Sequence, residues 1–258
     1  MGREDLTVSP LFAFSSVETM PLGAGLAGAA AMAPQGNRGW GLGCYEGADA
    51  QLIRDPVNSG LIEHFVSGYQ RPCGLCLSSK AASAEHPAVL ANCQPFAREL
   101  QGVTHLFAMD GELEGLDDKR KFPTGPYAPV GDTSAERAFC VLMSRMRVLW
   151  HEEKPLPEVR LAVVSDFAAR LRPHGLANFI YSDSELLFVH GHQQADDPAQ
   201  AGLYLALDGV QARVSSRPLD STDWQGLEPG EVLVIRGAEV LERCPPFKLW
   251  SQLRDSPV

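Results

Sequence analysis

The chain has 258 residues, 45% of them hydrophobic and 21% charged, with 22 Lys and Arg against 32 Asp and Glu and a formal net charge of −10. That composition is globular and excludes collagen-like, mucin-like and wholly disordered chains. The acidic balance and scattered arginines exclude a nucleic-acid or anionic-membrane surface, which needs clustered cations.

The one short basic run, Lys119-Arg120-Lys121, follows Asp117 and Asp118. The Gly/Ala-rich stretch from Gly23 to Met32 is too short and too weakly apolar to span a bilayer. Arg3, Glu4 and Asp5 stand where a secretory leader would begin, and Leu6 stands where a myristoylation motif requires Ser or Thr. The expected location is the cytoplasm, with the six cysteines reduced and partly buried.

In chain order, residues 7–17 (TVSPLFAFSSV) read as a strand and residues 21–39 as Gly/Ala/Pro-rich loop. Trp40 to Gly47 reads as a buried strand ending in a turn, with 51–56 as its hairpin partner. Leu61, Ile62, Phe65 and Val66 have helical spacing, with Asn58 or Ser59 as N-cap. CGLCLSS and HLFAMDG read as strands. Thr133-Ser134-Ala135-Glu136 fits a capping box that opens a helix bearing Phe139, Val141, Leu142, Met146, Val148 and Leu149. After the polar link EEKPLPE, the runs VRLAVVSD, NFIYSDSELLFVHGH, GLYLALDG, QARVSSRPL and EVLVIRG are expected as short strands. Few βαβ alternations occur, which favours an α+β layered fold with antiparallel sheets.

GWGLGCYEG (39–47), NCQPF (92–96), LFAMDG (106–111), GDTSAE (131–136), ANFIYSDSELLFVHGH (177–192) and SSRPLDSTDWQGLEPGEVLVI (215–235) occur in a fixed order over nearly the whole chain. In order and spacing they resemble the class II glutamine amidotransferases, and within them the stand-alone, bacterial-type YafJ-like group. The resemblance implies an N-terminal-nucleophile (Ntn) hydrolase fold: a four-layer αββα sandwich of two antiparallel sheets, as one domain over 1–258. It also implies a chemistry. An N-terminal Cys, with its own amine as base, attacks the glutamine amide. An Asn side chain and a Gly N–H hold the oxyanion. An Arg and an Asp hold the α-carboxylate and α-amine.

The sequence departs from that pattern at its nucleophile, oxyanion Asn, carboxylate-binding and amine-binding positions. Gly2 stands at the nucleophile position. Ser78 replaces a His, and Lys80 replaces the carboxylate-binding Arg, keeping charge without the bidentate fork. Gln94 and Met109 replace histidines. Asp110 replaces the oxyanion Asn, Gly111 and Asp132 are kept, and Ser134 falls where the amine-binding Asp would be. An ionised Asp repels a developing oxyanion that an Asn would stabilise.

Each other chemical-looking feature has a structural reading beside it. The Cys73-Gly74-Leu75-Cys76 pair lacks a second CxxC and lies on an expected strand, which argues for two unrelated cysteines over a redox or zinc pair. Cys44 and Cys93 are candidate substitute nucleophiles, or else small buried hydrophobes. Cys140 is expected in the core and Cys244 in a loop. His190 and His192 are expected as a strand-end surface pair, and His105 and His174 as structural. Asp110, Glu112 and Glu114 form an acidic turn, expected to be solvated. Trp40 and Trp224 are expected as core.

The expectation is therefore a diverged amidotransferase-like protein without glutaminase activity, acting in binding or regulation. Lys80, Asp110, Gly111, Asp132 and Ser134 would line a relic pocket for a small amine or amino-acid ligand, or a protein would be the partner. No metal, cofactor, nucleic acid or membrane is expected. The alternative is an active amidohydrolase using Cys44 or Cys93.

Overall fold

The computed structural model describes residues 11–25, 40–57, 59, 61–69, 72–80, 87–151, 153–193, 197 and 199–246. Across 72–80 it describes the backbone. Two antiparallel sheets form its centre. The first contains β1 (Leu11–Pro21), β2 (Trp40–Glu46), β3 (Asp49–Asp55), β4 (Pro72–Lys80), β9 (Tyr204–Leu207), β10 (Gln211–Ser215) and β11 (Gln225–Gly226), in the order β11-β9-β10-β1-β4-β2-β3. The second contains β5 (Phe96–Leu100), β6 (Val103–Asp110), β7 (Asn178–Ser182), β8 (Leu187–His190), β12 (Val232–Arg236) and β13 (Glu239–Cys244), in the order β13-β12-β8-β7-β6-β5.

Strand alternation assigns each side chain to a layer. Leu11 and Ala13 of β1, and Leu106 and Ala108 of β6, meet in one apolar cluster between the sheets with Ile180, Val189, Leu205, Val214 and Leu233. Phe12 and Phe14 point the other way, into a cluster with Trp40, Leu42, Cys44 and Phe65. Phe65 belongs to α2 (Leu61–Gly68), which covers that outer face with the single turn α1 (Leu22–Gly25). On the opposite face Phe107 and Met109 pack against α3 (Ser134–Leu149) and α4 (Pro157–Leu171). The layers are helix, sheet, sheet, helix, the αββα sandwich that the resemblance implied.

α3 begins where the capping box places it: the Thr133 side chain accepts from the Glu136 amide at 3.2 Å. α4 corrects the expectation of a strand at VRLAVVSD. Its β-branched residues suggest a strand, yet Arg160, Leu161, Val164, Phe167, Ala168 and Leu171 are buried at helical spacing, and Pro157 occupies the first turn. Apolar burial against the second sheet overrides local β preference here. β5 and β13 were not anticipated either.

Candidate functional site

β6 and β7 pair up to Asp110 and Asn178, so these two residues lie side by side at the end of the second sheet. Asp110 shares the inter-sheet face with Leu106 and Ala108. The residue is 8% exposed. Gly111 follows with φ +119, and a Cβ there would collide with the Leu176 carbonyl. Only glycine takes both that backbone angle and that approach without strain.

Three further segments close on this strand end. Ser134, the first residue of α3, donates from Oγ to Glu112 Oε1 at 2.6 Å and accepts from the Leu113 amide at 3.2 Å. Asn92 accepts from the Asp132 amide at 3.1 Å. Glu136 accepts from the amides of Val130 and Gly131 at 3.0 and 2.7 Å, and from Arg98 at 2.6 Å. Thr133 alone caps α3, and the Glu136 carboxylate, expected to return to the Thr133 amide in a capping box, instead clamps the loop before the helix. Gln94 pairs with both backbone groups of Met109.

The fold thus joins Ser134 to the turn that follows Asp110 and Gly111, through Glu112 and Leu113, and Asn92 holds the backbone amide of the exposed Asp132 two residues before Ser134. Sequence reasoning missed Glu112 as the partner of Ser134, Asn92 as the tether of Asp132, and the role of Gln94. For Lys80 the structure describes the backbone, opposite Trp40 in register at the end of β4. Gly2 and Lys80's neighbours 81–86 lie outside the described residues. Ser78 and the Cys73/Cys76 pair lie on β4, described in its backbone. The acidic turn is only partly solvated, because Asp110 is buried while Glu112 and Glu114 are exposed.

Both candidate thiols are buried. Cys44 is enclosed with Phe12, Phe14 and Leu42 on the outer face of the first sheet, away from the face that carries Asp110. Cys93 points at the Val89 carbonyl, and burial pushes its pKa up to about 11. A thiol so disposed is protonated at neutral pH and a poor nucleophile. Cys140 is buried, and Cys244 is the half-buried last residue of β13, not a loop residue.

The histidines correct one expectation. His190 is fully buried, stacked on Phe179, with Nδ1 2.6 Å from the Ala177 carbonyl. It is no surface pair with His192. His105 is also fully buried, its Nδ1 2.6 Å from the Tyr181 hydroxyl and its ring edge-on to Trp150. His174 lies against the Glu114 carbonyl and Phe122. Trp224 is not core: it is half-buried, covers the Arg213 guanidinium and donates to Asp220 at 3.0 Å. Trp40 is buried as expected. Among the described residues no group of three or more His, Cys, Asp or Glu side chains could hold a metal, and no helix is long and apolar enough to cross a membrane.

Burial holds His105 near a pKa of about 4 and His190 near about 3. The folded chain therefore prefers both imidazoles neutral, while the unfolded chain protonates them near ~6.5. Their contribution is fully present above ~6.5, falls as pH drops, and is gone below the depressed values. Thermal melts should show Tm declining from pH 6.5 to 4, with a shallower decline in His105→Gln and His190→Gln than in the wild type.

Two antiparallel sheets between helical layers, with a strand-end site framed by a glycine and a capped helix, define an Ntn-hydrolase-type fold. Solved structures share it. A predicted glutamine amidotransferase from Pseudomonas aeruginosa superposes with a TM-score of 0.58 at 24% identity, over 91% of this chain and 99% of that one. Glutamine phosphoribosylpyrophosphate amidotransferase from B. subtilis gives 0.64 at 13% identity, over 91% of this chain and 48% of that one. In sequence, the chain is 29% identical to YafJ of Escherichia coli over 214 residues, 75% of this chain and 82% of YafJ. Residues 10–200 match the family described as class-II glutamine amidotransferases, and the chain belongs to that family.

Proposed function

We propose that this member of the family has no glutaminase activity and acts as a binding or regulatory protein. Its relic pocket, lined by Lys80, Asp110, Gly111, Asp132 and Ser134, takes a small amine or amino-acid ligand, or its surface takes a protein partner. The observation that carries this reading is the carboxylate of Asp110, buried at the end of β6 beside Gly111. An ionised carboxylate accepts hydrogen bonds and donates none. Placed where an amide would stabilise a forming oxyanion, it opposes that charge and favours a cation instead. The reading rests on Asp110 and does not depend on Gly2.

Burial of both thiols weighs against a substitute nucleophile: Cys44 is enclosed in the outer cluster of the first sheet, and Cys93 donates to the Val89 carbonyl with its pKa raised by burial. The deciding measurement is ammonia release from L-glutamine, with the Gly2→Cys/Asp110→Asn double variant beside the wild type. Restoring an oxyanion donor and a nucleophile together is worth at least about 10²-fold over any background. The expected result is no release above the buffer blank by the wild type and measurable release by the double variant. Release by the wild type that iodoacetamide abolishes would sink the proposal and return attention to the thiols.

A further inference from the structure

The β5–β6 ladder stops one step short of the site. Its last rung pairs Phe96 with Phe107. Continuing the same register would set residue 94 opposite 109, but Pro95 has no N–H to continue the ladder, and the chain turns toward the first sheet. There the Gln94 carbonyl lies directly against the backbone of Gly41. The backbone of Gln94 is thus committed to the other sheet, and Met109 lacks a main-chain partner on this side.

The Gln94 side chain supplies it. Oε1 accepts from the Met109 amide at 2.6 Å, and Nε2 donates to the Met109 carbonyl at 2.9 Å. One primary amide reproduces the donor and acceptor of a missing strand residue. Gln94 is 7% exposed and Met109 1%, so water does not compete for these groups. The carbonyl so held belongs to the Met109–Asp110 peptide.

We propose that Gln94 is the positioning residue of the site: its side-chain amide replaces the absent rung and fixes the peptide that sets the direction of Asp110 and Gly111. This rests on the reading that Asp110 and Gly111 form the ligand-binding end of β6. A carboxamide does not titrate, so the hold is independent of pH. A neutral imidazole also offers one donor and one acceptor, but an imidazolium offers two donors and would face the Met109 amide with a like group.

The test compares wild type, Gln94→Leu and Gln94→His by NMR, reading amide exchange at Met109 and Phe107 and the titration midpoint of the Asp110 carboxyl carbon. Losing both bonds should speed exchange at Met109 on the order of tenfold in Gln94→Leu, with Phe107 unchanged. The Asp110 midpoint should move with it. Gln94→His should behave as wild type while the introduced imidazole is neutral and as Gln94→Leu once it is protonated, with the switch below the ordinary imidazole pKa of ~6.5 because the position is buried. Unchanged exchange at Met109, or equal acceleration at Met109 and Phe107, would overturn the proposal. So would a Gln94→His protein whose behaviour does not change with pH. If Gln94→Leu does not fold, the pH profile of Gln94→His alone decides. None of these readings depends on ammonia release, so this inference and the loss of glutaminase activity stand or fall separately.

Discussion

Replacing Arg160 with Leu should lower stability by about 3–5 kcal/mol, the range found when one partner of a buried ion pair is removed. Arg160 lies on α4 and is 1% exposed. It donates to Asp183 Oδ2 at 2.6 Å and to Glu185 Oε2 at 3.0 Å, and its guanidinium sits over the Trp150 ring. Asp183 is fully buried and also accepts from the amides of Glu185 and Leu186, which shapes the β7–β8 turn. Without Arg160 that carboxylate keeps its amide donors but loses its cation in a site closed to water. At about 2–4 °C per kcal/mol for a chain near this size, Tm should fall on the order of 10 °C. The Arg160→Leu/Asp183→Asn double variant should recover part of the loss, because it removes the unpaired charge along with the cation. If both variants melt alike, the penalty does not come from the stranded carboxylate.

Gly41→Ala should be as damaging for a steric reason. A Cβ at Gly41 would overlap the Gln94 carbonyl oxygen, lie 2.8 Å from its carbon and 3.0 Å from Pro95 Cδ. The obstacle is backbone, which cannot rotate aside. Relief requires the two sheets to separate or the Asn92–Phe96 segment to shift, at a cost of about 3 kcal/mol or more. Such a shift would also pull Gln94 from Met109. Gly68→Ala is the control, because a Cβ there meets nothing within 4 Å and should change stability by less than about 0.5 kcal/mol. Chemical denaturation midpoints of the two variants test the contrast. A Gly41→Ala midpoint equal to that of Gly68→Ala would mean the sheets do not meet at this point.

The Thr133 cap of α3 and the strands β1 and β6 were legible in the sequence, because caps and strands depend on residues near one another in the chain. The order of the motifs also identified the fold and the family, and the replacements at 94, 109, 110 and 134 were visible by position. α4 was misread because its valines carry a local β preference that only packing against the second sheet overrides. Trp224 and His190 were misplaced because burial depends on what a distant strand or loop brings over them.

Within the site, the identity of each side chain came from the sequence, but its partner did not. Nothing local indicates that Ser134 reaches Glu112, that Asn92 holds the Asp132 amide, or that Gln94 completes β6. Those contacts join residues 15 to 40 positions apart. The sequence by itself determined which donors, acceptors and charges stand at each motif position, because these belong to the residue. Only the tertiary structure decided how the remaining groups are held, because hydrogen-bond partners are fixed by the packing of two sheets and two helix layers.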